Sequence, residues 1–250
     1  MKPYLSVVIP SYNEMTNIKR NVLDEVIEYL KKQNYQWEVL LSDDGSTDGT
    51  TDELKTFAKK HKNVEVVENI HAGKGPTVQS GMLKAKGEWV LFTDFDQSTP
   101  LKEVEKLLKY KDTHQVIIGS REIQGAKRDK EPLHRHIMGK GFNFLVQTLA
   151  IPGIYDTQCG FKIFSSDANK RIFSNLIVYG RSEERTDAFT GAFDVEALFL
   201  ARKKSFKVNE VPIIWHHNET DRVSPIKDSV RMLRDIIKVR FADLLGKYSK

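Results

Sequence analysis

Short apolar runs alternate with helical patterns along the first half of the chain. Residues 5–9 and 37–41 are short, apolar and rich in β-forming side chains. Between them, apolar residues recur at helical spacing from Ile18 to Leu30. This order predicts a β-α-β unit.

The same alternation continues beyond this first unit. A second helix is predicted from Thr50, which has capping-box spacing to Glu53, and further helices are predicted at residues 77–85 and after Pro100. Three more strands are predicted, at residues 64–67, 89–92 and 116–118. Regular alternation of this kind predicts an α/β fold, with a mostly parallel central sheet flanked by helices on both faces.

The pattern loosens after residue 122. A helix is still predicted around residues 192–203, followed by a strand at 208–214 and a long C-terminal helix from 226. A chain of 250 residues that is 40% hydrophobic and 29% charged can bury one substantial core. We therefore expect a single domain.

Polar residues follow several of the predicted strands, and in doubly wound sheets ligands bind beyond the carboxyl ends of the strands. These polar segments are Pro10–Glu14, Ser42–Ser46, Asp94–Asp96 and Ser120–Arg121. Because parallel strands end at the same edge of a sheet, we expect the carboxylates and the arginine to converge on one cleft.

Charge and cysteine content give limited information about the binding partner and the cellular compartment. The net charge of +5 and the isoelectric point near 9.0 indicate an anionic partner, but nucleic acid, anionic lipid and phosphorylated substrate fit equally. The single Cys159 excludes an intrachain disulfide and favours the cytosol. No secretion signal is evident, and no apolar stretch reaches the roughly 20 residues that a spanning helix needs.

Asp94 and Asp96 form the clearest candidate for a metal site. The two carboxylates lie two residues apart, directly after an apolar strand. Such hard oxygen ligands suit Mg²⁺ or Mn²⁺, which commonly binds through one or two carboxylates together with substrate phosphates. Pairs of this kind also occur in solvated turns, so the position after a strand is what favours the metal interpretation.

The segment from Asp43 to Gly49 is a second candidate. It also follows an apolar strand, and its glycines permit a tight turn that points polar groups into the cleft. A carboxylate here could accept hydrogen bonds from a base or a ribose. A turn combined with a helix cap is the alternative interpretation.

Taken together, these motifs resemble those of family 2 glycosyltransferases, and within them the dolichyl-phosphate glucosyltransferase and mannosyltransferase branch. The matching segments in the first half are Val7–Glu14, Asp43–Thr50, Gly73–Gly75, Asp94–Pro100 and Gly119–Arg121. Those in the second half are Arg135 with Gly139 and Asn143, Asp156–Lys162, Phe193–Glu196, Glu210–Pro212 and Met232–Asp235. The resemblance covers nearly the whole chain.

The resemblance implies a GT-A-type nucleotide-diphospho-sugar transferase fold over residues 1–250. Residues 1–121 would bind the nucleotide sugar, 122–225 would build the acceptor half and 226–250 would form an amphipathic basic helix. Donor-binding roles are implied for Pro10, Tyr12, Glu14, Asp43, Asp44, Lys74, Asp94, Phe95 and Asp96. Asp94 and Asp96 would hold Mg²⁺ or Mn²⁺, although Phe95 and Gln97 depart from the residues typical of this motif.

The implied reaction is inverting transfer of a hexose, with glucose from UDP-glucose favoured, to a polyprenyl or dolichyl phosphate. The implied catalytic residues are Arg121, Asp96 and Asp194, and the implied acceptor contacts are Arg121, Arg135 and Arg222. A phosphate monoester has its second pKa at about 6 and needs no general base. An alcohol acceptor would need one, for which Asp194 and Glu196 are candidates.

Two segments could touch a membrane surface on its cytosolic face. The C-terminal helix carries an apolar stripe beside basic residues, which suits either an interfacial helix or a helix packed on its own domain. Residues 133–151, with basic side chains among apolar ones, are the better candidate.

Other readings of the same residues stay open at this point. GDP-mannose could be the donor, or a sugar hydroxyl the acceptor. A dehydrogenase is disfavoured because the turn after the first strand has no glycine-rich fingerprint. A non-catalytic nucleotide- or nucleic-acid-binding module is a distant alternative, since acidic residues at the strand ends would repel a phosphate backbone.

Overall fold

The computed structural model describes residues 2–129, 146–148, 150–180, 191–217 and 225–248, with side chains of the last segment described from residue 230. Strands in these ranges are β1 (Leu5–Ser11), β2 (Trp37–Asp43), β3 (Val64–Glu68), β4 (Trp89–Thr93), β5 (Val116–Ser120), β6 (Lys127–Arg128), β7 (Phe161–Ser165), β8 (Val208–Pro212) and β9 (Ile214–Trp215). The helices are α1 (Met15–Lys19), α2 (Val22–Lys31), α3 (Thr50–Lys60), α4 (Lys74–Lys84), α5 (Val104–Leu108), α6 (Ser166–Phe173), α7 (Phe193–Lys203) and α8 (Pro225–Leu244), and a 3₁₀ turn at Leu101–Glu103 precedes α5.

Seven of these strands form one central sheet in the order β3-β2-β1-β4-β7-β5-β8. Neighbouring strands are parallel except around β7, which runs antiparallel to both β4 and β5. The short strands β6 and β9 pair separately. The mostly parallel α/β sheet predicted from the alternation is therefore confirmed.

The apolar core has two layers, one on each face of the sheet. Along β1, Leu5, Val7 and Ile9 point to the layer that contains α2, whereas Val8 points to the layer that contains α4 and α7. All seven residues of β1 are buried. A parallel strand covered on both faces reads as a continuous apolar run, which is why residues 5–9 were recognisable in the sequence.

Strand β7 was not predicted. This strand lies in the middle of the sheet, and its one buried polar residue is Lys162, a residue type that argues against a buried strand. Lys162 is tolerated there because its ammonium donates to the carboxylate of Asp194 at 2.5 Å and to the backbone carbonyl of Cys159. Asp194 lies 32 residues further along the chain, so the local sequence carries no signal for this partner.

The predicted capping box at Thr50 is wrong. Helix α3 begins after Gly49, which adopts a left-handed conformation with φ of 95°. The hydroxyl of Thr50 instead accepts a hydrogen bond from the backbone N–H of Glu14 at 2.8 Å. The side chain therefore ties α3 to the end of β1 rather than capping its own helix.

Helix α8 turns its apolar stripe outward. Ile236, Val239 and Ala242 are buried against the domain, while Ile237 and Phe241 are more than half exposed. The alternative in which the predicted stripe packs on its own domain is therefore wrong. Among the described helices none is long and apolar enough to cross a bilayer, and most of the second membrane candidate, residues 133–151, lies outside the described residues.

Loss of the Lys162 ammonium should destabilise the fold strongly. In Lys162→Met, the carboxylate of Asp194 stays buried without its cation, so the free energy of unfolding should fall by about 3–5 kcal/mol. Urea denaturation followed by circular dichroism measures this. The double variant Lys162→Met with Asp194→Leu should recover most of the loss, and equal instability of the single and double variants would contradict the prediction.

Candidate active site

The polar segments predicted to converge do lie along one edge of the sheet. Ser11 at the end of β1 pairs with Asp43 at the end of β2, and β4 and β5 run in the same direction as β1. This edge carries the residues that follow each of these strands. Most of the residues predicted to bind a ligand therefore share one face of the molecule.

Asp94 lies directly after β4, where two neighbours fix its position. Its Oδ1 accepts a hydrogen bond from Nζ of Lys74 at 2.6 Å, and its backbone N–H donates to the carbonyl of Gly160 at 3.1 Å. A Cβ atom at Gly160 would lie only 1.9 Å from Oδ2 of Asp94. Gly160 is therefore required for the carboxylate to occupy this place.

Asp96 is held by the turn that follows. Its two carboxylate oxygens accept from the backbone N–H and the hydroxyl of Ser98, each at 2.9 Å. Burial, followed by the negative charge of Asp94, raises the pKa of Asp96. Two neighbouring carboxylates that disfavour each other's charge are stabilised by a cation between them.

This pair fits a divalent cation in its donor chemistry. Within the described residues, no group of three His, Cys, Asp or Glu side chains converges on one point. The carboxylates of Asp94 and Asp96 could supply two ligands, and Mg²⁺ and related ions commonly bind through one or two carboxylates together with water and phosphate oxygens.

Lys74 connects this pair to a second buried carboxylate. Burial lowers the pKa of Lys74, but the negative charges of Asp94, Asp194 and Asp96 raise it by more than burial lowers it. The net shift of the pKa is therefore upward, and the ammonium stays charged. Asp194, in the first turn of α7, accepts from Lys162 at 2.5 Å. Acidic and basic side chains therefore alternate through the site.

Asp194 is buried among charged side chains of the site. It is 5% exposed, and burial raises its pKa in spite of the opposing charge of Lys162. Glu196, the other base candidate, accepts the backbone N–H groups of residues 177, 178 and 179 and the hydroxyl of Tyr248. Because these four donors occupy a carboxylate with 0% exposure, Glu196 is structural and its candidacy as a base is wrong.

Arg121 is clamped rather than open. Its Nε and Nη2 donate to the two oxygens of Asp156 at 2.8 Å each, and its guanidinium lies 5.4 Å from the ring centroid of Trp215. Burial raises the pKa of Asp156, but Arg121 holds it below its usual range. The backbone N–H groups of Tyr155 and Asp156 in turn donate to Glu210, which fixes the loop that carries the clamp.

The carboxylates of Asp43 and Asp44 shape the cleft at the end of β2. Asp43 accepts hydrogen bonds from Ser11, Ser46 and Thr51. Asp44 accepts from the backbone N–H groups of residues 72 and 73 and binds Nδ1 of His71 at 2.9 Å. Asp44 therefore anchors the loop that leads into α4.

His71 is a residue of this cleft that the sequence did not point to. Its ring stacks on Tyr12, with ring centroids 4.2 Å apart and an interplanar angle of 6°. No spacing or motif marks His71, because its place depends on how the chain returns from β3 to the end of β2. Glu14, two residues after Tyr12, is 8% exposed and accepts a hydrogen bond from the side-chain amide of Asn17 at 2.6 Å.

Some predicted site residues lie elsewhere or beyond the described ranges. The side chain of Phe95 is 3% exposed and packs in the apolar layer with α2, so its predicted contact with a ligand is wrong for the side chain. Pro10 is buried within β1. The acceptor candidates Arg135 and Arg222 lie outside the described residues.

Comparison with known proteins bears on the identity of this site. The family model described as Glycosyl transferase family 2 matches residues 6–173. Proteins named dolichyl-phosphate beta-glucosyltransferase from Dictyostelium discoideum and Saccharomyces cerevisiae are 33% and 34% identical, covering 97% and 98% of this chain and 76% of each relative. The human protein of the same name is 33% identical over 98% of this chain and 77% of its own length.

Solved structures share the fold at lower identity. Mannosyl-3-phosphoglycerate synthase from Rubrobacter xylanophilus matches with a TM-score of 0.63 and 16% identity, covering 98% of this chain and 75% of that one. Glucosyl-3-phosphoglycerate synthase from Mycobacterium tuberculosis, in complex with Mn²⁺, UDP and glucosyl-3-phosphoglycerate, matches with a TM-score of 0.61 and 18% identity, covering 99% and 80%. These likenesses confirm the GT-A architecture. Since the family model spans more than half of the chain, including both carboxylate motifs, the protein belongs to glycosyl transferase family 2.

Proposed function

We propose that the protein is an inverting glucosyltransferase that moves glucose from UDP-glucose to a dolichyl or other polyprenyl phosphate. The observation that carries the proposal is the Asp94 and Asp96 pair facing Lys74 at the end of β4. This arrangement suits the diphosphate of a nucleotide sugar. The choice of glucose and of a lipid phosphate is supported by the names of relatives at 33–34% identity.

The nucleotide would lie over the ends of β1 and β2. Tyr12 offers an aromatic face there, and the loop held by Asp44 brings the backbone of residues 71–73 beside it. The carboxylate of Asp44 is already hydrogen-bonded to this loop, so we expect Asp44 to shape the pocket rather than to contact the nucleotide. Lys74 follows directly and would meet the diphosphate as a cation.

Asp94 and Asp96 would hold Mg²⁺ or Mn²⁺. A bound divalent cation would supply charge neutralisation for the nucleoside diphosphate as it leaves. The fold relative from Mycobacterium tuberculosis was solved with Mn²⁺ and UDP. The raised pKa of Asp96 is consistent with a cation at this place. Burial and Asp94 disfavour the ionised carboxylate, and a nearby cation would stabilise it.

The acceptor's own chemistry removes the need for a base. One oxygen of the lipid phosphate forms the new bond to the anomeric carbon, while the bond from that carbon to the UDP oxygen breaks and its electron pair leaves with UDP. A phosphate monoester is largely dianionic near neutral pH, since its second pKa is about 6. The protein then contributes position and charge.

Asp194 fits this base-free scheme. It is buried and bound to Lys162, which suits a group that orients its neighbours. Arg121 likewise has two of its nitrogens committed to Asp156, so we infer that it acts on a phosphate through its remaining nitrogen and through its fixed positive charge.

We also propose that the outward face of α8 attaches the protein to a membrane surface, on the cytosolic side expected from the sequence. Val230, Ile237, Phe241, Leu244 and Leu245 are between 56% and 77% exposed. A cavity of about 810 Å³ opens beside this face, with apolar side chains such as Ile177 and Val178 and basic ones such as Arg234 and Lys238 on its walls. Apolar and basic groups side by side suit an amphipathic anionic lipid.

Removal of one metal-binding carboxylate should weaken donor binding. In Asp96→Asn, titration calorimetry with UDP and Mn²⁺ should show affinity reduced by more than about tenfold, because the cation loses one of its two protein ligands. Asp167→Asn, which neutralises an exposed carboxylate on α6, should bind as the wild type does. Unchanged UDP affinity in Asp96→Asn would count against the metal site.

A methyl group at residue 160 should impair the site without changing either carboxylate, because it would occupy the space of the Asp94 side chain. In Gly160→Ala the new Cβ would displace Asp94, so turnover of UDP-glucose should fall by about 100-fold while the circular dichroism spectrum stays unchanged. Asp167→Asn, at the exposed carboxylate on α6, serves as the control and should retain full activity. Full activity of Gly160→Ala would show that the position of Asp94 is not critical.

Charge on the outward face of α8 should release the protein from membranes. The double variant Ile237→Glu with Phe241→Glu should no longer float with vesicles of phosphatidylcholine and phosphatidylserine, because two exposed apolar contacts become anionic. Leu83→Glu with Tyr110→Glu places the same two charges away from α8, at side chains that are each 42% exposed, and should float normally. If the wild type itself fails to float at low salt, attachment through α8 is excluded.

A further inference from the structure

Tyr179 joins three helices through one buried side chain. It follows α6 in the chain and is 7% exposed. Its hydroxyl donates to Oδ2 of Asp235 in α8 at 2.8 Å and accepts from the backbone N–H of Ala192, just before α7, at 2.6 Å. Both capacities of the phenol are therefore used, one on each of two helices.

The ring of Tyr179 reaches the third helix through a glycine. A Cβ atom at Gly75, in the first turn of α4, would lie 3.0 Å from Cδ1 of Tyr179. A Cβ at Gly191, just before α7, would lie 2.4 Å from the neighbouring Cε1. The ring therefore packs closely against both glycines, and these two positions have no room for a larger residue.

Both of these helix starts carry the candidate active site. Lys74, directly before Gly75, forms the ion pair with Asp94. Asp194, two residues after Ala192, forms the ion pair with Lys162. A movement of Tyr179 would thus shift Gly75, next to Lys74, and Ala192, two residues before Asp194.

The backbone around Tyr179 is fixed separately. Glu196 of α7 accepts the N–H groups of residues 177, 178 and 179 at 2.6–2.9 Å. The same carboxylate accepts from the hydroxyl of Tyr248, which follows α8, at 2.6 Å. Helix α8 is therefore tied to this segment at Asp235 and again just beyond its C-terminal end.

We propose that Tyr179 is a positioning residue that couples the seating of α8 on the domain to the placement of Lys74 and Asp194. The expected effect on catalysis rests on the proposed transferase activity, whereas the coupling itself rests on the contacts of Tyr179. When α8 is seated, Asp235 holds the phenol, and the phenol holds the starts of α4 and α7. A lipid surface that engages the outward face of α8 would thereby act on the site through one hydrogen bond.

The phenol is suited to this task because it stays neutral. Burial, together with the negative charge of Asp235, raises the pKa of Tyr179. The hydroxyl therefore remains a hydrogen-bond donor to Asp235 throughout the neutral range. The contact between α8 and the site would not be lost by ionisation of the tyrosine.

Tyr179→Phe tests the coupling, since it keeps the ring and removes only the hydroxyl. In transfer from UDP-glucose to polyprenyl phosphate, kcat should fall by about tenfold while KM for UDP-glucose stays within about twofold. Asp235→Ala should lower kcat by the same factor. Asp235→Asn should retain most of kcat, because its amide oxygen still accepts the hydrogen bond. The double variant Tyr179→Phe with Asp235→Ala should have a kcat no lower than either single variant. Tyr29→Phe, which removes a hydroxyl bonded to Glu105, should be unaffected.

Amide hydrogen exchange gives a readout that does not need the reaction. The first turns of α4 and α7 should exchange faster in Tyr179→Phe than in the wild type, and at the wild-type rate in Tyr29→Phe. Wild-type protein that transfers to no acceptor would remove the proposed function but leave this comparison decisive for the coupling. The coupling is overturned if Tyr179→Phe lowers only the melting temperature, with kcat and the exchange of both turns unchanged.

Discussion

Asp94 and Asp96 bring two carboxylates together at the end of a buried strand, and the rest of the site is arranged around the cost of that negative charge. Lys74 offsets part of it at 2.6 Å, and the turn at Ser98 satisfies the oxygens of Asp96. Burial and Asp94 still raise the pKa of Asp96, so positive charge placed beside the pair would stabilise its ionised form. The metal and the diphosphate of the proposed reaction would meet that need together.

In the proposed reaction, buried ion pairs elsewhere in the site would mainly fix the positions of charged groups. Lys162 lies inside the sheet and holds Asp194, and Arg121 holds Asp156 with two parallel hydrogen bonds. Such pairs are costly to bury, and removal of one partner costs more than the pair contributes. Their geometry is therefore well defined, which suits side chains that must stand at fixed distances from a substrate.

Close packing at glycines connects these charges to the surface. Gly160 leaves room for Asp94, while Gly75 and Gly191 leave room for Tyr179. Through Tyr179, helix α8, with an exposed apolar face, contacts the two helix starts that carry Lys74 and Asp194. The candidate membrane-facing surface and the candidate active site are therefore linked by direct contacts.

The sequence by itself determined the alternating strands and helices, the edge of the sheet at which polar residues gather, and the family resemblance carried by the motifs along that edge. It could do so because buried parallel strands are continuous apolar runs, and residues after them are confined to one edge whatever the details of packing. Only the tertiary structure decided the rest: β7 as a central strand, His71 beside Tyr12, the clamp on Arg121, the structural role of Glu196 and the outward stripe of α8. Each of these depends on partners far away in the chain, such as Asp194 for Lys162, and periodicity or spacing within a segment carries no information about contacts of that kind.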